Sequence, residues 1–443
     1  MRLVALERLV RRGHGTAARQ ALQRLSRDGL VRNLQRMDEE SMLGAFGLLD
    51  DDRARAAFGR LDRSRQAVLV NSLPRQRAMT LFASLPPDDR ARLLDGLPDD
   101  VHGRLLDALD SAARQETLSL IAFPPGSTGR AMSPHVVSVL AGQTVAAALL
   151  HVRTEGSKAE TVYMVPVLDE AVAVVGVVSL RRLLFADPEA RVADVMAQPA
   201  VTVAVGQDEE DAAHDLRRAR LIAAPVVDSR GRLAGVLTVD DAMRILSEAE
   251  TEDVARSSGS SPLPSSYRST PLLRLVRSRI GWLLVLIVAA TLTVNVLDYF
   301  EETLAQVVAL ALFVPLLIGT GGNAGSQSAT TVVRAMAVGD VEGRDLPRVV
   351  AREMGTGLLL GLVLAAVAFL PAALFAGTRI ATVVSLSLVV ICVLATGVGS
   401  LTPLLARQVG VDPAVVSAPL ISTIVDASGL VIYFLVARAV LGL

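Results

Sequence analysis

The chain has 443 residues, more than one ordinary domain needs, and its formal net charge of −1 averages over two unlike parts. Residues 1–270 are rich in Arg, Asp and Glu, whereas residues 280–443 are mostly Leu, Val, Ala, Ile and Gly. The single cysteine, Cys392, excludes an intrachain disulfide, and the histidines (His14, His102, His135, His151, His214) show no Cys/His spacing for zinc.

Residues 1–36 carry nine Arg against two acids on an amphipathic pattern. That reads as a cytoplasmic helix. A mitochondrial transit peptide shares the pattern, but no apolar core follows, so it is not a secretory signal. No aromatic residues interleave with the basic ones, which argues against a nucleic-acid partner. Next comes a repeat. Leu49-Asp50, Leu61-Asp62, Leu73-Pro74, Leu85-Pro86, Leu97-Pro98 and Leu109-Asp110 recur every twelve residues. Asp and Pro suit the first turn of a helix, so each repeat, such as "PPDDRARLLDG" or "PDDVHGRLLDA", predicts a short helix and a turn. Such helices cannot bury an apolar face alone, and residues 1–130 are expected to stack into a small α-helical superhelix, a scaffold or docking surface.

Residues 131–250 predict a tandem α/β module, with copies at 132–186 and 195–247. Each copy opens on a Met (Met132-Ser-Pro, Met196-Ala-Gln-Pro) and holds a β-rich run, "VYMVPVLDEAVAVVGVVSLRRL" and "IAAPVVDSRGRLAGVLTVDDAM". The second copy resembles a CBS domain through Pro225-Val-Val-Asp228, Gly231, Gly235-Val-Leu-Thr238 and Asp241. The first is looser, and two such motifs normally pair. A connecting helix and linker follow over 240–270. The helix is acidic, "VDDAMRILSEAETEDVAR", and "SSGSSPLPSS" (257–266) ends it.

Residues 271–443 predict an all-α membrane domain of five spans, near 280–298, 304–335, 354–376, 380–406 and 413–437, each long enough to cross ~30 Å of hydrocarbon. The second holds Pro315 and Gly319, Gly321, Gly322 and Gly325, which predicts a kink or unwinding. With the N-terminus inside, the inner flanks hold Arg268, Arg274, Arg277, Arg279, Arg334, Arg344, Arg348, Arg352 and Arg407, and the outer flanks only Arg379 and Arg438. Nine against two puts the soluble half in the cytoplasm of a plasma-membrane protein, C-terminus outside. The first outer loop carries Asp298, Glu301 and Glu302, either a solvated loop or one that concentrates cations.

One ionisable residue, Asp426, lies deep inside a span, in "PLISTIVDASGLVIYFLVA". Insertion of a charge there costs at least ~2.5 kcal/mol, and such residues face a cavity or an ion path. No Lys, Arg or His lies at similar depth; Asn323, Gln327 and Ser or Thr hydroxyls remain as donors. Ala418 and Ser422 share its helix face, and Pro419 frees the carbonyl one turn earlier. Carboxylate plus carbonyls is an all-oxygen site for a hard cation. A two-fold dimer brings two carboxylates; ~8 Å apart they repel by about 2 kcal/mol at an effective dielectric near 20, which a divalent ion between them relieves. "GTGGNAG" lacks the Lys of a phosphate loop and sits in an apolar span, which argues against nucleotide there. No catalytic constellation is visible, and the chain is not expected to be an enzyme.

The motifs "FVPLLIGTGGNAGSQSATTVVRA" (313–335) and "DPAVVSAPLISTIVDASGLVIYF" (412–434) resemble the MgtE family of magnesium channels, and "TGRAMSP" (128–134) with the domain order extends the resemblance over the whole chain. It implies a homodimer whose pore is lined by the second and fifth spans, here at Gly319, Gly322, Asn323 and Ser326. Asp426 would hold hydrated Mg2+, with the backbone at Ala418 and Ser422 in support. Ser326 departs from the usual Asn.

The resemblance also implies closure by Mg2+ at acidic faces of the cytoplasmic half. The candidates are Asp208, Glu209, Glu210, Asp240, Asp241, Glu248, Glu250, Glu252 and Asp253. Packed acids repel until cations screen them, a bistable element biased by ligand. Arg244 stands where the family tends to have an acid, and Arg217, Arg218 and Arg220 lie beside Glu209–Asp211, so guanidinium groups are expected to do part of the neutralising. Thr238 and Asp241 match the ribose contacts of adenine-binding CBS domains, which makes ATP a second candidate ligand. Other divalent cations are candidate cargo. A secondary Mg2+ exchanger and a membrane-anchored nucleotide sensor are the competing functions; flux that demands a counter-ion favours the first, and absence of flux the second.

Overall fold

In a computed structural model, helices begin at Leu3, Gly15, Arg27, Glu39, Asp51, Arg63, Arg75, Pro87, Asp99 and Ser111. The twelve-residue period therefore reaches back well before residue 49. The structure describes residues 3–443 except 13, 199–200, 264–266, 268–269, 338–339, 342 and 413–417. Pro199, Arg268, part of the linker and the 413–417 part of the 412–434 motif lie outside the described residues. So does the carbonyl one turn before Pro419.

Four of the repeats start from a capping side chain, and seven carry a buried residue in the last turn of their helix. Ser26, Asp38, Asp50 and Asp110 accept hydrogen bonds from the backbone N–H three residues on, while Pro74, Pro86 and Pro98 hold the same place without a side-chain cap. Leu22, Leu34, Phe46, Phe58, Val70, Phe82 and Leu94 are twelve apart and all buried, each worth about 1.5–3 kcal/mol. Arginines at the same period close the helix ends. Arg53 donates to the carbonyls of Gln23 (2.8 Å) and Leu25 (2.7 Å), Arg65 to Gln35 (2.8 Å) and Met37 (2.6 Å), and Arg77 to Leu49 (2.9 Å). Each thereby satisfies C-terminal carbonyls of the helix three repeats earlier.

Two three-stranded sheets follow. β1 (Val139–Leu140), β2 (Met164–Leu168) and β3 (Val174–Ser179) form one; β4 (Val203–Ala204), β5 (Ala223–Val227) and β6 (Leu233–Thr238) form the other. In both, the first pair is parallel and the second antiparallel. The lead-in residues are exchanged between copies. Ser133 bridges to Val236 of β6, and Ala197 bridges to Val177 of β3. Gly235 and Gly176 permit this, because a Cβ at either would press on the sulfur of Met132 or Met196. The β5–β6 turn has Gly231 at φ +75, a conformation glycine adopts freely.

The chain divides into two units, Met1–Ala249 with Pro264–Thr270, and Glu250–Leu263 with Pro271–Leu443. The connecting helix Val239–Ser257 thus contributes its first part to one unit and its last part to the other. The second unit holds five helices long and apolar enough to cross a membrane: Leu272–Tyr299, Val308–Ala337, Gly343–Ala376, Thr378–Gln408 and Ala418–Leu441. The expected unwinding of the second is not found. Val314–Ala337 is one helix through all four glycines, and the irregular part is the 3-10 turn Val308–Phe313 before it. Pro315 falls in the first helical turn, where no backbone donor is missed. The glycines serve close packing instead: a Cβ on Gly321 would meet Ile391 and Val425, and one on Gly325 would meet the Ala395 carbonyl at 3.1 Å. Two polar groups inside the unit are paired across helices, Ser328 to Thr396 O (3.0 Å) and Tyr433 to Leu310 O (2.9 Å).

Candidate functional site

Asp426 sits about a third of the way along Ala418–Leu441, half-buried. Its Oδ1 is buried and accepts no hydrogen bond among the described residues. Asn323, Gln327 and the nearby hydroxyls, the donors read from the sequence, do not satisfy it. Gly322 lies directly against it: a Cβ there would overlap Ser422 Oγ and stand 3.3 Å from Asp426 Oδ1. Ala418 opens the helix, and its carbonyl accepts from Ser326 Oγ at 3.1 Å. The residue that departs from the family pattern thus ties the second span to the fifth. Gly319, Asn323, Gln327 and Thr330 form an exposed polar stripe on the second span, whereas Gly322 is buried beneath Ser422. Gly322→Ala is therefore expected to push these spans apart, at about 1–3 kcal/mol of overpacking strain. A lowered thermal midpoint together with reduced ion flux checks this; an unchanged midpoint would show that the spans tolerate the methyl group.

In the first unit, acids and arginines alternate. Asp89 pairs with Arg92 (2.8 Å), Arg92 with Glu248 (3.6 Å), Glu248 with Arg244 (3.9 Å) and Arg244 with Asp241 (2.9 Å). Thr238 Oγ1 lies within reach of Asp240 (2.5 Å) and Asp241 (2.9 Å), its one proton serving either. Beside this ladder is Asp88, 8% exposed, with Oδ1 lacking a hydrogen-bond partner among the described residues. Burial first, then Asp241 and Asp89, and further Glu160, push its carboxyl up to about 8. Burial also raises Glu160, and it raises Glu209 against the opposing pull of Arg244.

These positions correct the expected neutralisation of Glu209–Asp211. Arg217 and Arg218 turn to His214 (2.9 Å) and Asp215 (3.4 Å) on their own helix, and Arg244 is the guanidinium that acts on Glu209. Arg220 forms no ion pair among the described residues. The candidate acids are not one cluster. Asp208 caps the helix Glu209–Arg218, and Glu210 faces His214 at 3.6 Å. Glu250, Glu252 and Asp253 belong to the second unit, where Glu252 pairs with Arg256 and burial, then Asp412, raise Asp253. Among the described residues, no three His, Cys, Asp or Glu converge to hold a bare metal ion. Asp88, Asp89 and Arg92 were missed from the sequence because "PPDD" reads as a helix start. The signal was there: Arg53, Arg65 and Arg77 recur every twelve residues, and the next place in that series is Asp89.

Family profiles match in the same order as the fold. "MgtE intracellular N domain" matches residues 21–126, "CBS domain" 129–189 and 192–248, and "Divalent cation transporter" (MgtE) 314–436. The magnesium transporter MgtE of Thermus thermophilus is 40% identical over 333 residues, 75% of this chain and 74% of the relative. The chain belongs to the MgtE family of magnesium transporters. The MgtE of Enterococcus faecalis is 31% identical over 323 residues, 73% of this chain and 71% of the relative. A solved structure, the cytosolic domain of the Mg2+ channel MgtE in complex with ATP, aligns at 32% identity and a TM-score of 0.50, over 55% of this chain and 100% of that one. The helical N-domain, CBS pair and five apolar helices are accordingly those of an MgtE transporter.

Within that MgtE frame, Arg244 invites a test. It is three-quarters buried and faces Asp241, Glu248 and Glu209. Arg244→Asp replaces the counter-charge with another acid, a change of about 1–3 kcal/mol for a partly buried network. The first unit is expected to loosen without Mg2+, and its Mg2+-dependent compaction to steepen. Limited proteolysis of both proteins with and without Mg2+ measures this. Equal Mg2+ protection in the two would place Arg244 outside any sensor.

Proposed function

We propose that two copies of the chain form a Mg2+-selective channel that imports Mg2+ through a pore centred on Asp426. The observation that carries this is the half-buried carboxylate with an unpartnered oxygen, set beside an exposed polar stripe in an otherwise apolar helical unit. A polar stripe facing hydrocarbon is unfavourable, so it calls for water or a second copy. A two-fold pairing sets two Asp426 carboxylates on one axis, with Gly319, Asn323, Ser326, Ala418 and Ser422 lining the path. Mg2+ gives up its inner water shell reluctantly, and a pair of carboxylates with backbone oxygens suits the hydrated ion. The arginine count supports the cytosolic unit inside and the C-terminus outside.

Closure in this reading follows from cation binding to the acids around Asp88 and Asp241. Arg92 and Arg244 already occupy places between those acids, which supports a weaker Mg2+ dependence than a purely acidic cluster gives. ATP is the second proposed cytosolic ligand, at Thr238 and Asp241, on the strength of the ATP-bound relative. The experiment is Mg2+ uptake into liposomes holding the purified protein, across a range of Mg2+ on the cytosolic side. Uptake that falls as that Mg2+ rises supports a gated channel. Uptake that needs a counter-ion gradient supports an exchanger, and no uptake refutes transport.

A further inference from the structure

The second unit has a half-open pocket of about 180 Å3 at the N-terminal end of the first span, away from Asp426. Arg256, Ser261, Arg277, Ser278 and Trp282 line it. The chain after the connecting helix is folded down to form its wall. Gly259, at φ +69, rests on the Trp282 ring where a Cβ would collide, and the Ser261 N–H donates to the Ser278 carbonyl at 2.9 Å. The lining is rich in donors. The Trp282 N–H is buried and has no acceptor among the described residues. Arg256 is neutralised by Glu252 and Asp412, while Arg277 forms no ion pair among the described residues. One uncompensated guanidinium, a free indole N–H and a serine hydroxyl match an anion with several acceptor oxygens, which is the chemistry of phosphate.

The surface next to the pocket narrows the ligand further. No residue of Leu272–Tyr299 is buried, and Leu284, Val285 and Val288 continue the Arg277–Gly281 side of that helix as exposed apolar surface. We propose that the pocket holds the phosphodiester headgroup of an anionic membrane lipid, whose acyl chains run along Leu284, Val285 and Val288. The bound lipid braces the end of the connecting helix, through Arg256, against the start of the first span. This rests on the reading of the first span as membrane-crossing.

Trp282 is the chain's one tryptophan, so its fluorescence reports the site directly. Full-length protein is placed in phosphatidylcholine bilayers containing a small fraction of bromine-labelled phosphatidylglycerol or bromine-labelled phosphatidylcholine. The labelled phosphatidylglycerol is expected to quench Trp282 several-fold more than the same fraction of labelled phosphatidylcholine. Arg277→Gln is expected to erase that difference, and Arg274→Gln, exposed and outside the pocket lining, to retain it. Quenching by labelled phosphatidylcholine in the Arg277→Gln protein shows that it is still folded into the bilayer. Equal quenching by both lipids in the wild type overturns the proposal. Relief of the selective quenching by inorganic phosphate overturns the lipid assignment in favour of a soluble phosphate. Absence of quenching by either lipid instead overturns the membrane reading of the span, and the proposal with it.

Discussion

Asp426→Asn is expected to lower Mg2+ uptake by about two orders of magnitude while the protein stays folded. A divalent ion held through water ~5 Å from a carboxylate is attracted by about 7 kcal/mol at an effective dielectric near 20; half of that, after desolvation, is at least about two orders of magnitude in occupancy. Asn keeps the volume of Asp426, so the fit against Gly322 and Ser422 is retained. It also turns an acceptor-only group into one that presents N–H donors to the path. No salt bridge is broken, since Oδ1 has no partner to lose among the described residues. Uptake is read in proteoliposomes, and folding from the elution and thermal midpoint of the detergent-solubilised protein. Wild-type uptake by the variant would remove Asp426 from the centre of the mechanism.

The second large effect concerns pH and the first unit. Asp88 is held at about 8 in the folded protein by burial and by Asp241, Asp89 and Glu160, whereas an unfolded Asp titrates near ~3.9. Between those values the folded state keeps a proton that the unfolded state has lost. The stability that Asp88 contributes is therefore full below about pH 4, declines as pH rises toward 8, and is lost above it. The full shift sets an upper bound of about 5–6 kcal/mol, and water penetration trims this to about 2–4 kcal/mol. Asp88→Asn is expected to flatten the decline and to make the Pro87–Leu94 helix more resistant to hydrogen exchange at pH 8–9. Mg2+ is expected to replace the proton in the wild type, stabilising that helix at pH 9 far more than in the variant. Parallel pH profiles for the two proteins, after correction for intrinsic exchange, would show that the Asp88 carboxyl stays solvated.

How much was legible depended on the range of the interaction. The twelve-residue recurrence of Leu-Asp and Leu-Pro announced short capped helices because caps and first-turn preferences are local. The same period ran further back, unseen, because Ser26 and Asp38 cap their helices after Leu25 and Met37 without the dipeptide that marks later repeats. The glycines of the second span were read as weakness in an isolated helix. Packed against Ile391, Val425 and Ser422, they became the surface on which neighbouring helices approach. An isolated helix carries no information about its partners, so periodicity alone had no means of separating the two outcomes.

The sequence by itself determined the architecture and the anomaly within it. Apolar run length, charge segregation and repeat spacing decide which segments enter hydrocarbon, which stack and which form sheets, because burial energy scales with composition and period. A lone carboxylate in an apolar run is conspicuous for the same reason. Only the tertiary structure decided which charges meet. Arg92 and Glu248 come together from distant parts of the chain, Arg244 rather than Arg217 or Arg218 faces Glu209, and Ser326 reaches the Ala418 carbonyl. Asp88 is an ordinary first-turn acid in the sequence and, in the fold, a buried one whose Oδ1 has no partner among the described residues. Electrostatic interaction depends on the distance between charges and on solvent exclusion, and both are set by packing between segments that the linear order leaves unspecified.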